Sequence, residues 1–103
     1  MAKKDRCGRV KRSDALVVWD DPHNPKGNVQ KVLAHGLAKD EVESVLLADD
    51  GQILPNRSHP EHCLVAGYTY TGRFIVVPFE IQDEKTPVIR PITAFEPSED
   101  EED

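Results

Sequence analysis

Residues 63–81, CLVAGYTYTGRFIVVPFEI, place two runs of branched and aromatic residues on either side of Tyr70-Thr71-Gly72-Arg73. Such side chains suit a half-buried pleated surface. The glycine at the break supplies the positive φ that a tight reversal requires. The stretch predicts the central hairpin of a small sheet. Side chains alternate along each arm. Leu64, Ala66, Tyr68 and Tyr70 therefore share one face of the first arm, and Ile75, Val77, Phe79 and Ile81 one face of the second.

The elements around the hairpin follow from period and punctuation. Ala15 to Trp19 reads as a first strand, and Asp20 to Gly27 as a loop of turn-forming residues. Asn24-Pro25 fits an N-cap followed by proline at the first helical position. The helix then runs to about His35, with Gly36 at C′. Val29, Val32 and Leu33 lie on its apolar face. A second helix, from about Lys39 to Ala48, repeats the spacing with Val42, Val45 and Leu46. Its N-terminus carries Asp40, Glu41 and Glu43, where the dipole favours negative charge. Only Leu37 and Ala38 separate the two helices, so they form an αα unit on one side of the sheet. Gln52 to Leu54 reads as a short strand and Pro55 to Glu61 as a polar loop. Val88 to Phe95 is the closing strand, and Pro91, having no N–H, marks it as an edge or a bulge. The predicted order is β-α-α-(β)-β-β-β, an α+β domain with a small antiparallel sheet and both helices packed on one face.

At 103 residues the chain is one domain. Its charge is unevenly spread. Residues 1–14 hold six Lys/Arg and two Asp, residues 96–103 hold six acids and no base, and the segment between is mildly acidic. Residues 1–14 are expected to be a disordered basic arm, residues 15–96 the folded domain, and residues 97–103 a disordered acidic tail. An acidic domain argues against a broad nucleic-acid groove, because phosphate neutralisation supplies most of such affinity. No apolar run approaches the roughly 20 residues that span a bilayer, so no membrane partner is expected. No apolar segment follows the basic start, so no signal peptide is expected either. Cys7 and Cys63 make no disulfide framework and are expected to be reduced thiols in a cytoplasmic protein.

His59, His62 and Cys63 stand in H-P-E-H-C, and Cys7, His23 or Glu61 would bring the donors to four. The spacing lacks the C-x-x-C of a zinc site, and the expectation is a polar loop entering a strand, with no metal and no cofactor. The chain has no G-x-S-x-G, phosphate-binding glycine loop or H-E-x-x-H. Asp20 and Asp21 read as turn or cap carboxylates. His35 reads as a helix-end residue, and Arg73 and Arg90 either as phosphate-binding forks or as sheet residues paired across strands.

Several of these stretches, taken in order, resemble the BrnT-like toxin family, which is similar in fold to RelE-type ribonuclease toxins. They are Val18-Trp19-Asp20, Asn28 with His35-Gly36, Asp40-Glu41-Val42-Glu43-Ser44-Val45-Leu46, Gly67-Tyr68-Thr69-Tyr70-Thr71-Gly72-Arg73 and Ile92-Thr93-Ala94. The resemblance implies a toxin-type protein of a bacterial toxin–antitoxin system, an endoribonuclease acting on RNA, and a DNA-binding antitoxin partner from the same operon. Arg73, Arg90 and His35 carry over as its catalytic candidates. Phe95 and Pro97-Ser98-Glu99-Asp100 stand where the family's closing strand continues into basic residues. The alternative is a non-catalytic protein-interaction module that retains the fold. The ribonuclease reading requires Arg73 and Arg90 to converge on one site beside His35.

Overall fold

The computed structural model describes residues 7–48 and 50–97. Among them the elements run β1 (Leu16–Val17), α1 (Asn28–Ala34), α2 (Lys39–Leu46), β2 (Gln52–Leu54), β3 (Cys63–Tyr68), β4 (Phe74–Asp83) and β5 (Val88–Pro91). The five strands form one sheet in the order β1-β5-β4-β3-β2. The α+β class is as expected, but the sheet is mixed where an antiparallel one was predicted. β2, β3, β4 and β5 pair antiparallel in succession, whereas β1 runs parallel to β5, with Leu16 opposite Val88 and Val17 opposite Ile89. A two-residue strand carries no signal for its pairing direction. That direction is set where the β3–β4–β5 meander brings the chain back.

The hairpin forms as its residues dictate. Gly72 has φ +91°, the Thr69 N–H donates to the Arg73 carbonyl at 2.8 Å, and the register runs from Tyr68–Phe74 to Cys63–Phe79. Directly opposed residues share a face. One face therefore carries Cys63, Val65, Ile75, Val77, Phe79 and Ile89, all buried against Val32 and Leu37 and against Val42, Val45 and Leu46 of α2. Both helices supply this layer.

The helices differ at their ends from the sequence reading. α1 begins at Asn28, with Gly27 as N-cap. Asn24 instead closes a turn of its own, its side-chain oxygen accepting from the Lys26 N–H and its carbonyl from the Gly27 N–H. Leu33, placed on the apolar face, is 51% exposed, because a seven-residue helix presents only Val29 and Val32 to the core. At the C-terminus Gly36 takes φ +76°, the Leu37 N–H reaches the Val32 carbonyl and the Gly36 N–H the Leu33 carbonyl. This is a Schellman closure, with Leu37 as its buried apolar contact. α2 stops at Leu46 rather than Ala48.

The expectation for Pro91 is also revised. β5 ends at Pro91 and lies between β1 and β4, so it is not an edge. Beyond it Phe95 bridges back to Val76. Pro78 sits inside β4, where its carbonyl accepts the Ile92 N–H. In a ladder a residue's N–H and C=O point to one side. The donor missing from Pro78 thus faces residues 92–94, where β5 has left the ladder.

The largest departure is at the N-terminal end. Residues 7–9 are helical, Arg12–Asp14 form a 3-10 turn, and Cys7, Val10 and Arg12 are buried. Residues 7–14 are therefore packed and not a disordered arm; residues 1–6 and, of the acidic tail, residues 98–103 lie outside the described residues. Cys7 and Cys63 are joined in a disulfide, with a Cα–Cα distance of 5.8 Å. The expected reduced thiols are thus corrected, and with them the argument they offered for a cytoplasmic location. No helix among the described residues is long and apolar enough to cross a membrane.

Candidate functional site

Arg73 leaves the hairpin at the end where the α1–α2 corner meets the sheet. Its Nη1 donates to the Gly36 carbonyl at 2.8 Å, so Arg73 and the His35-Gly36 corner are neighbours. His35 is the C-cap of α1 and its ring lies 6.3 Å from that of Phe95. Two carboxylates complete the cluster. Glu96 accepts from Arg73 Nε at 3.3 Å and from Nη2 at 3.2 Å, and a Glu41 oxygen lies 3.5 Å from Nη1. The hydrogen bond from Arg73 holds the Glu96 carboxyl below its ordinary value.

Glu41 is buried, and its environment explains the threonines of the hairpin motif. One oxygen accepts from the Ala38 N–H at 3.0 Å, closing the start of α2 from the third helical position. The other accepts from the Thr71 hydroxyl at 2.7 Å. Thr71 has thereby used its only proton, so in the 2.7 Å contact between the two threonines Thr69 is the donor. Thr69 Oγ1 in turn accepts the backbone N–H groups of Thr71 and Arg73. The Thr71 hydroxyl bond, then that from the Ala38 N–H, lowers the Glu41 pKa against the opposing effect of burial. The tip is tied once more to α2, through Tyr70 N–H to Ser44 Oγ and Tyr70 hydroxyl to Asp40. The G-x-T-x-x-G-R stretch is thus the joint between hairpin and helix.

Arg90 belongs to a different station. It lies opposite Glu80 in the β4–β5 register, on the face away from Phe79 and Ile81. Its Nη2 donates to Asp20 Oδ2 at 2.7 Å and its Nη1 to Glu80 at 3.4 Å. The Asp20 bond is the main cause that raises the Arg90 pKa and, in return, lowers that of Asp20. Asp20 also accepts the Asn28 N–H at 2.9 Å, a helix-start contact of the kind expected for this carboxylate. The Asn28 side chain is fully used: its oxygen accepts the Asp20 N–H, and its amide donates to the carbonyls of Val18 and Pro91. The W-D and Asn elements therefore tie β1, α1 and β5 together, and Trp19 adds a 2.7 Å bond from its indole N–H to Glu43.

Of the three candidates, Arg73 and His35 are brought together, and Arg90 stands apart. The Arg73 contacts to Gly36, Glu41 and Glu96 and the Arg90 contacts to Asp20 and Glu80 have no residue in common. Sequence reasoning did not find Glu41, Glu96 and Asp20 as the partners of these cations. The acid at the third position of α2 was a visible signal; the pairing of Asp20 with Arg90, 70 residues apart, had none.

A third cluster lies in the H-P-E-H loop. The donor atoms of His59, Glu61 and His62 all lie within 4.8 Å of one another. Neither cysteine can serve as a thiolate there, because the two are bonded to each other. A cavity of about 420 Å³, lined by Cys7, Ile53, Pro60 and His62 among others, opens beside it.

Comparison with protein-family models, with curated proteins and with solved structures finds no match.

Proposed function

We propose that the chain is a BrnT-like toxin-type protein of RelE-like architecture that acts by binding a protein partner, a DNA-binding antitoxin encoded in the same operon, and not by cutting RNA. The motif order in the sequence supports the family. The pairing of the arginines supports the mode of action: Arg73 is held by Glu96 and Glu41, and Arg90 by Asp20 and Glu80. A ribonuclease needs cations facing the phosphate on which charge develops. Here each guanidinium already has two carboxylates, and an incoming phosphate would have to displace them inside an acidic protein.

The ribonuclease reading keeps one observation, the contact between Arg73 and the His35-Gly36 corner. One experiment separates the two. The chain is expressed alone and together with the short gene product encoded beside it, and growth, RNA integrity and co-purification are scored. Binding of the neighbour with intact RNA is the expected outcome. RNA cleavage or growth arrest that Arg73→Ala abolishes in a folded protein would establish the enzyme instead. Failure to bind the neighbour would remove the partner assignment.

A further inference from the structure

We propose that His59, Glu61 and His62 form a surface site for one divalent transition-metal cation of the zinc class. The backbone sets up the donors before any ion arrives. The His62 N–H donates to the His59 carbonyl at 2.9 Å, closing a turn across Pro60 and Glu61, and Asn56 Oδ1 accepts the His59 N–H at 3.0 Å. The imidazole centroids are 5.5 Å apart, and Glu61 Oε2 lies 3.6 Å from His59 Nδ1. A tetrahedral zinc with bonds of about 2.0–2.1 Å needs its N and O donors roughly 3.4 Å apart. The three donors already lie within 4.8 Å of one another.

The donor set selects the ion. Two imidazoles and one carboxylate suit zinc, nickel or copper, whereas magnesium and calcium require oxygen shells. A further carboxylate stands nearby. Glu80 Oε1 lies 3.8 Å from His62 Nε2, while its other oxygen is engaged by Arg90. That distance is longer than a hydrogen bond, so the ring is not tied to Glu80. Three protein donors leave at least one coordination position open, and the cavity beside His62 offers it room. His59 and Glu61 are exposed, so the ion is acquired by a folded chain and does not create the fold. This site does not depend on the toxin-type reading.

The test is calorimetric titration of the full chain with zinc chloride, free of chelator and of reductant. The expected result is one equivalent bound. His59→Ala and His62→Ala should each weaken binding at least about tenfold, as loss of even an outer-shell partner does elsewhere. Glu61→Gln should weaken it as well, and His23→Ala, outside the cluster, should leave it unchanged. Magnesium at equal concentration should not compete. Copper(II) loaded on the wild type should show nitrogen couplings from two imidazoles by electron paramagnetic resonance, a readout that needs no variant to fold. The proposal is overturned if the His59/His62 double alanine variant binds zinc as the wild type does, if no saturable binding occurs up to millimolar zinc, or if the copper spectrum lacks imidazole nitrogen.

Discussion

Asn28 shows how much one side chain can carry in a chain of this size. It is 1% exposed, and its amide joins the Val18 and Pro91 carbonyls while its oxygen holds the Asp20 N–H. Asn28→Ala leaves those backbone groups without their partner in a buried place. An unsatisfied group costs about 1–3 kcal/mol, so a total loss of about 3 kcal/mol is expected in urea denaturation. The carboxylates make a second residue-level prediction. Asp20, Glu41 and Glu96 all have lowered pKa values in the folded state, through the bonds from Arg90, from Thr71 and from Arg73 respectively. A group with a depressed folded value stabilises the fold above its ordinary value, 3.8 for Asp and 4.5 for Glu, and that contribution is lost as pH falls through the depressed one. Denaturation midpoints should therefore decline as the pH is taken below about 5 toward 3. Asp20→Asn and Glu41→Gln should each make the decline shallower; an unchanged slope would contradict the assignment.

The hairpin tip is the element whose function is most plainly mechanical. Gly72 at φ +91° makes the reversal, and Thr69, 4% exposed, accepts two backbone N–H groups and donates to Thr71. A side chain at Gly72 would meet nothing within 4 Å, so Gly72→Ala pays only for the left-handed backbone, about 1 kcal/mol. Thr69→Val, nearly identical in shape, orphans both N–H groups and removes the donor to Thr71, whose own hydroxyl holds Glu41. It should cost about 2–3 kcal/mol, and it should also raise amide exchange at the start of α2, which Gly72→Ala should not. Equal effects of the two substitutions on that helix would show that the threonine relay does not couple them.

At the scale of the whole molecule, the N-terminal segment is a clamp. Arg12 donates from Nε to the Leu46 carbonyl at 2.9 Å and from Nη2 to the Ala48 carbonyl at 2.7 Å, covering the C-terminal end of α2. A cation suits that end of a helix dipole. Cys7 then ties the same segment to the start of β3 across a sequence separation of 56. Closing a loop of that length stabilises by about 4 kcal/mol on the chain-entropy account. The Cys7→Ser/Cys63→Ser double variant should lose about that much stability, and a dithiol reductant should lower the wild-type denaturation midpoint to the same value. A reductant with no effect on the midpoint would show that the bridge does not form in solution.

Local rules were enough for much of this fold. The hairpin, its glycine, the two helices and the glycine closing α1 all rest on residues within a few positions of one another, where propensity and periodicity act directly. The candidate site was half visible on the same terms: His35 and Arg73 were legible as a helix corner and a hairpin residue. What they touch was not. The parallel pairing of β1 with β5, the Arg12 cap 34 residues from its first acceptor, the disulfide, and the separation of Arg90 from Arg73 are contacts between residues distant in sequence. No pattern of propensity encodes such a contact. It exists because burying the Cys63–Val65–Val77–Phe79 face against the two helices brings those groups within bonding distance, and each buried polar group then takes a partner from whatever the packing leaves beside it.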